Sequence, residues 1–333
     1  MAAQKGIGRL VQVGIGKEST RGTAVTATYW TPWNDLVIDE KKEFAVDQQS
    51  YGLVEDSVNL TQVKKWAQGT ISGNVLDQSF GLILYSMFGT LTSHAAHSGE
   101  TIVYDNVFNI GESAQHQSLT FNLHDPLSAQ DYQYANGVVE KLDLTVALKK
   151  FVAYTAAIKA LSGATHAAFS PSTTTENRFV PQYLTAKFAS AYSTITGGGG
   201  STVALRGLQL TLNANVEDQE VLGNVAPADF LNKQFSVEGT FEAIWQNESD
   251  FKTAFLGPTA QAIRFDIKNS DVTIGTSANP ELIIDLPKCT FQELSRPFKV
   301  NDLVYQTIKF KAVYDIANTL MIKATLTNTV NGY

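Results

Sequence analysis

The alternation of apolar and polar side chains between Leu208 and Glu217 constrains this chain more than any other feature. Leu208, Leu210, Leu212, Ala214 and Val216 fall on one side of an extended backbone, and Gln209, Thr211, Asn213, Asn215 and Glu217 on the other. A period of two belongs to a strand with one dry face and one wet face. Gln234 to Glu242 repeats it, with Phe235, Val237 and Phe241 opposite Gln234, Ser236, Glu238, Thr240 and Glu242. Ala67, Ile71 and Val75 likewise oppose Gln68, Thr70, Ser72 and Asn74. Strands of this kind bury their dry faces against one another, so the expected class is mainly β, as a sandwich or partly closed barrel.

Helices are expected to be few and short. Ser79 to Phe88 closes at Gly89, and Ser249 to Leu256 closes at Gly257 followed by Pro258. The serines suit N-caps and the glycines suit the left-handed position after a helix. The alanine-rich stretch Phe151 to Leu161 is ambiguous by composition, and an internal repeat assigns it to strand. In the first half, Leu36 to Asp47, the strand around Gly69-Thr70-Ile71, the helix from Ser79, Ser118 to Leu123 and Ile158-Lys159-Ala160 follow one another. In the second, Leu208 to Glu217, Gly239-Thr240-Phe241, the helix from Ser249, Ala262 to Ile267 and Phe310-Lys311-Ala312 come in the same order.

At roughly 150 residues per domain, 333 residues allow about two domains. The expected layout is an N-terminal arm over 1–33, a first β domain over 34–161, a connector over 162–204 and a second β domain over 205–333. The connector is rich in Gly, Ser and Thr, with four glycines at Gly197 to Gly200. Each domain carries one short flanking helix, and the two are read as a duplication.

Charged residues make up only 17% of the chain and the net charge is -7, which argues against a surface that grips nucleic-acid phosphates. One cysteine, Cys289, excludes an internal disulfide and reads as a small buried hydrophobe. The N-terminus has no secretory pattern, and the longest apolar run, Phe80 to Phe88, is too short to span a membrane. Folding in the cytoplasm without a membrane anchor is expected.

No residues compose a catalytic or cofactor site. A phosphate loop at Gly16-Lys17 would need Ser or Thr where Glu18 stands and Gly where Val11 stands. His94 and His97, with Glu100 nearby, lack a helix to fix them and a second ligand pair, so they read as loop histidines rather than a zinc site. His124 ends a strand before Asp125-Pro126, and Glu217, Asp218 and Glu220 read as a solvated acidic loop. A non-enzymatic protein with no cofactor and no metal is therefore expected.

The N-terminal segment carries a resemblance. Gly16, Glu18, Gly22, Thr23 and Ala24, followed by Trp30-Thr31-Pro32-Trp33, resemble the opening phrase G-x-E-x-x-x-G-T-A and the aromatic-proline stretch of phage tail tube proteins of long-tailed phages. Asn301 to Val304, Thr307 to Ala312 and Leu326 to Tyr333 are similar to that family's ending. The resemblance implies two tandem domains of tail-tube type in a structural virion protein of the tail. Its subunits form rings, the rings stack into a tube with other tail proteins, and DNA passes through without specific binding. Such a wall should be polar, with neutral or negative charge and no Lys or Arg on it. Gln68, Thr70, Ser72, Asn74, Gln209, Thr211, Asn213, Asn215, Ser236, Glu238, Thr240 and Glu242 are the candidates for it. Contacts between rings are assigned to the arm, through Lys17, Glu18, Arg21, Trp30 and Trp33, which is expected to order only on assembly. They are also assigned to the loops 47–65 (Glu55, Asp56, Lys64, Lys65) and 217–233 (Asp218, Glu220, Asp229, Lys233). Two domains per chain favour a trimeric ring with pseudo-sixfold symmetry, and a hexamer comes second. The other classes open to the sequence are a carbohydrate-binding β-sandwich, as in an adhesin or depolymerase, and a different virion part such as a decoration or tail-terminator protein.

Overall fold

The computed structural model describes residues 5–127, 130–245, 251–257, 259–301 and 303–333. The first half runs through β1 (Gln12–Lys17), β2 (Tyr29–Thr31), β3 (Asp35–Asp47), β4 (Asn59–Asn74), α1 (Phe80–Phe88), β5 (Gly89–Ala96) and β6 (Tyr104–Ile110). It continues with β7 (Leu119–His124), β8 (Asp131–Ala147), β9 (Ala153–Ala160) and β10 (Ala164–His166). The second half begins with β11 (Leu184–Ala189), α2 (Tyr192–Thr196), β12 (Ser201–Val203), β13 (Leu205–Asn213), β14 (Glu217–Gln219), β15 (Asp229–Leu231) and β16 (Ser236–Ile244). It ends with α3 (Lys252–Leu256), β17 (Gln261–Lys268), β18 (Glu281–Ser295), β19 (Tyr305–Ala312) and β20 (Lys323–Asn328). Phe151 to Leu161, ambiguous by composition, contains a strand.

One antiparallel sheet runs through both halves in the order β3-β4-β9-β8-β13-β16-β19-β18. Its centre is the β8–β13 ladder, from Ala147 opposite Gly207 to Lys141 opposite Asn213. Two further strand groups complete the fold. The first joins β2, β1 and β7 to the start of β8. The other joins β12, β11 and β17 to the start of β18, with β20, β6 and β5 on its far side. The long strands β8 and β18 thus belong to two groups each. A β-bulge lets each strand bend between them, at Val139/Lys141 in β8 and at Phe291/Glu293 in β18.

The period-two pattern explains the core. Leu208, Leu210 and Leu212 of β13, and Val237, Phe241 and Ala243 of β16, are buried, continuous with Leu142, Leu144 and Val146 of β8. Phe241 meets Phe188, Phe251, Phe291 and Phe310 with ring centroids 5.2 to 6.1 Å apart, in tilted and edge-on arrangements. α1 lies on the core with Phe80 against Tyr154, and Gly89 closes it at φ 83°. At its other end Ser79 makes no side-chain cap. The Glu176 carboxylate accepts the Ser79 N–H at 2.6 Å and the Gln78 N–H at 3.2 Å instead. The second helix is shorter than expected, and its Gly257 is extended rather than left-handed; Ser249 and Pro258 lie outside the described residues.

Two segments differ from their sequence reading. The arm is docked from β1 onward. Val13 and Ile15 are fully buried, and β1 pairs with β7 along its whole length. Few apolar residues suffice because the ladder satisfies the backbone and only one face needs covering. The connector is likewise no free linker over its second part. β11 fills an edge beside β17, with Ala186 and Phe188 buried, and Gly198 (φ 85°) and Gly200 (φ 100°) shape the turn into β12. It therefore has no extended reach for spanning a ring.

Phe241→Ala is expected to lower stability by about 3–5 kcal/mol, because it empties the centre of the aromatic cluster. Chemical denaturation of the full chain measures this.

Candidate functional site

The wet face of the eight-stranded sheet is a surface that the fold organises from both halves. Ser72 lies opposite Thr155, Thr155 opposite Asp143, Asp143 opposite Thr211, Thr211 opposite Glu238 and Glu238 opposite Lys311. A parallel row runs Asn74, Ala153, Thr145, Gln209, Thr240 and Lys309. Directly opposed residues share a face, so Gln68, Thr70, Ser72, Asn74, Gln209, Thr211, Asn213, Ser236, Glu238, Thr240 and Glu242 all stand on one surface. Asn215 lies beyond the end of β13 at φ 48°, where its side chain donates to the Gln234 carbonyl at 2.5 Å.

This face is not free of cations. Reading only β4, β13 and β16 missed Lys141, Lys159, Lys309 and Lys311, which β8, β9 and β19 bring to the same side. The alternation Lys141-Leu142-Asp143-Leu144-Thr145 carried the same signal. Each lysine sits beside a carboxylate. Lys141 lies 2.7 Å from Asp143, Lys159 3.1 Å from Asp218, Lys309 3.2 Å from Glu293 and Lys311 3.1 Å from Glu238. The hydroxyl of Thr211 also donates to Asp143 at 2.5 Å. The face is polar with its charges paired, where the sequence suggested one without positive charge.

The residues assigned to contacts between rings divide into two groups. Glu18, Arg21 and Asp229 work inside the chain. The Glu18 carboxylate accepts from the backbone N–H groups of Gly22 and Asn136 and from the hydroxyls of Ser118 and Thr120, at 2.7 to 2.9 Å. Gly22 takes φ 78°, which lets the chain fold back on Glu18. Arg21 then reaches the second half. It donates to Asp229 at 2.5 Å and to the carbonyls of His116 and Phe230. Gln115 and Asn136 also donate to Asp229, at 2.7 and 3.1 Å. Lys64 is committed inside the chain too, 2.8 Å from Asp218 and 2.5 Å from Glu220, and the Lys65 N–H donates to the Val225 carbonyl. The loops 47–65 and 217–233 thus touch each other within one chain.

The second group stays nearer the surface. Glu55 and Asp56 are exposed at the β3–β4 hairpin tip, alongside exposed Tyr51, Leu53 and Val54. Lys233 pairs with Glu217 at 2.7 Å. Lys17 reaches the Tyr333 carbonyl at 2.5 Å. Trp30 packs edge-on against Phe169, and the Trp33 indole N–H donates to the Val11 carbonyl at 3.0 Å.

Among the described residues, no cluster of three His, Cys, Asp or Glu side chains is placed to hold a metal. His97 pairs with Asp105 at 2.9 Å, Glu100 accepts the backbone N–H groups of Thr276, Ser277 and Ala278, and His116 is buried between the Met87 and Gly111 carbonyls. Burial pushes the Cys289 thiol well above its ordinary range. Trp30, Trp33, Trp66 and Trp245 form no shared platform: a Lys64 cation lies over Trp66, and Arg296 lies over Trp245. Among the described residues no helix is long and apolar enough to cross a membrane.

The family model described as phage tail tube protein matches residues 8–312. The chain belongs to the phage tail tube protein family. The match covers the docked arm, both halves and the polar sheet in one stretch. Membership makes this tail tube protein a structural component of the virion tail that self-associates into stacked assemblies. No curated protein matches the chain.

The Arg21–Asp229 joint gives a pH dependence. Burial raises the Asp229 carboxyl, but the bonds from Arg21, Gln115 and Asn136 outweigh it and hold it below the usual range. The unfolded carboxyl titrates near pH ~3.9, so this stabilisation is complete above that pH and drains away as pH falls through the lower folded value. Asp229→Asn is expected to lower stability at neutral pH and to weaken the acid dependence below about pH 4. Urea melts across pH measure both.

Proposed function

We propose that this chain forms closed rings that stack into a tail tube, with the eight-stranded polar face lining the channel for the genome. The observation that carries the reading is the charge pairing across that face. A DNA backbone held by bare lysines would release counterions and stick, whereas lysines already engaged by carboxylates offer little to a passing phosphate. The Lys309–Glu293 and Lys311–Glu238 pairs are about half exposed and worth less than about 1 kcal/mol each to the fold, so stability alone gives them little purpose. The scattered, part-exposed tryptophans give a sugar-binding reading nothing comparable.

A duplication underlies the proposed ring. β1, β2 and β7 pair among themselves as β11, β12 and β17 do. Gly69 lies opposite Ile38 and Ile158, as Gly239 lies opposite Leu210 and Phe310. The bulge beside Ile158 in β8 recurs beside Phe310 in β18. This correspondence supports two copies of one unit per chain. Three chains then supply six units around a ring, and rotational closure needs no further component. Contacts between rings fall to the exposed β3–β4 hairpin tip with Glu55 and Asp56.

Electron microscopy of the purified chain is expected to show tubes, with three chains per ring by native mass spectrometry. Particles that never exceed a monomer would remove the tube reading, and six chains per ring would remove only the stoichiometry. Gln209→Lys with Thr240→Lys adds two cations to the cross-strand row of this face that holds no carboxylate. Phage carrying both is expected to build tails of normal length but to eject DNA several-fold more slowly, with the defect relieved as salt rises. Ejection at the normal rate would take this face off the channel.

A further inference from the structure

The segment Thr329–Tyr333 is held differently from the strands before it. β20 ends at Asn328, and the five residues that follow enter no ladder. Among the described residues their one main-chain bond to main chain is internal, from the Gly332 N–H to the Val330 carbonyl at 3.0 Å. Side chains hold the segment instead, chiefly from the first half. Asn106 donates to the Val330 carbonyl at 3.0 Å, and Lys17 holds the Tyr333 carbonyl. Gly332, at φ 80°, turns the chain inward, while Thr329 and Asn331 stay exposed.

The Tyr333 ring enters a slot between α1, β6 and the end of β20. It lies 5.9 Å from the Phe108 ring, and a Cβ at Gly81 would overlap it. A glycine inside a helix is unfavourable, and Gly81 stands where the ring needs the room. The Tyr333 hydroxyl donates to the Gln78 carbonyl at 2.7 Å and accepts from the Asn328 side-chain amide at 2.6 Å. Burial pushes this hydroxyl well above its ordinary range, so it stays a donor. The slot is also braced without the segment. Asn106 donates to Asn328 at 3.0 Å, Asn328 donates to the Asp77 carbonyl at 2.5 Å, and the β20–β6 ladder carries both asparagines.

We infer that this slot is a peptide-binding site for a short segment with free main chain ending in Gly-Tyr, and that the chain carries its own ligand as a separable plug. The ring supplies the anchor, and Gly81 sets its fit. The hydroxyl supplies the specificity, because Phe in its place would leave the Gln78 carbonyl without this donor. Lys17 adds a charged donor for the carbonyl of the tyrosine. None of these contacts needs the ligand to be joined to β20 by a peptide bond. The inference stands on the single chain and is independent of the tube reading.

Thermal melts with an added peptide test the site. The full-length Tyr333→Ala chain vacates the place of the ring, and the probe is acetyl-Thr-Val-Asn-Gly-Tyr. Saturating peptide is expected to raise the melting temperature of this variant by a few degrees and to leave the parent chain, whose slot is filled, unmoved. The same peptide ending in Phe is expected to bind about tenfold more weakly. Gly81→Ala gives a second readout. With Tyr333 present its methyl group meets the ring and the chain melts lower. In the Tyr333→Ala chain the same change costs nothing, because alanine is the better helix former, and it removes most of the peptide response. No rise for Tyr333→Ala, a rise undiminished by Gly81→Ala, or additive effects of the two substitutions would overturn the site and leave the tube reading standing. Should the alanine variant not fold, Tyr333→Phe, which keeps the ring, carries the same test: the tyrosine peptide is expected to displace its tail with a smaller rise, and no rise overturns the site.

Discussion

The β8–β13 ladder is the contact on which the rest of the structure depends. A sheet edge leaves a row of backbone donors and acceptors unpaired, which must be paired, covered or solvated. By joining the last strand of one four-strand group to the first of the next, this ladder removes two edges at once. It also aligns two wet faces into one surface and two dry faces into one core. The bulges in β8 and β18 make the join compatible with the rest of the fold, because each long strand can leave the shared sheet and enter its own second group.

Buried polar groups fix how the halves meet beside that ladder. Glu18 would be costly to bury alone, and its four donors come from the turn after β1 and from segments around β7 and β8. The same turn aims Arg21 across the joint at Asp229, whose oxygens also accept from Gln115 and Asn136. The opening segment Gly16 to Ala24 therefore has a mechanical meaning. Its glutamate and glycine shape a tight turn, and in this chain the arginine between them closes the joint between the halves.

Much of this was legible in the residues themselves. Period-two alternation placed β4, β13 and β16 and assigned one face of each to water. Gly89 disclosed the end of α1. The lysines of the polar face were missed because the same alternation in β8, β9 and β19 was not carried through to a shared surface. The arm and the connector were misread because composition counts apolar side chains and takes no account of ladder bonds. β1 and β11 each need only a few buried side chains once a neighbouring strand pairs their backbone.

The sequence by itself determined that this chain makes sheets and which side of each strand is dry, because those are local properties of residue order and type. Only the tertiary structure decided which strands become neighbours. Pairing across the chain brought Glu238 to Lys311, Asp218 to Lys64 and Lys159, and Arg21 to Asp229. Whether Lys64, Lys159 and Lys311 are bare cations or partnered ones depends on contacts made across dozens to hundreds of residues. Alternation along a single strand carries no information about them.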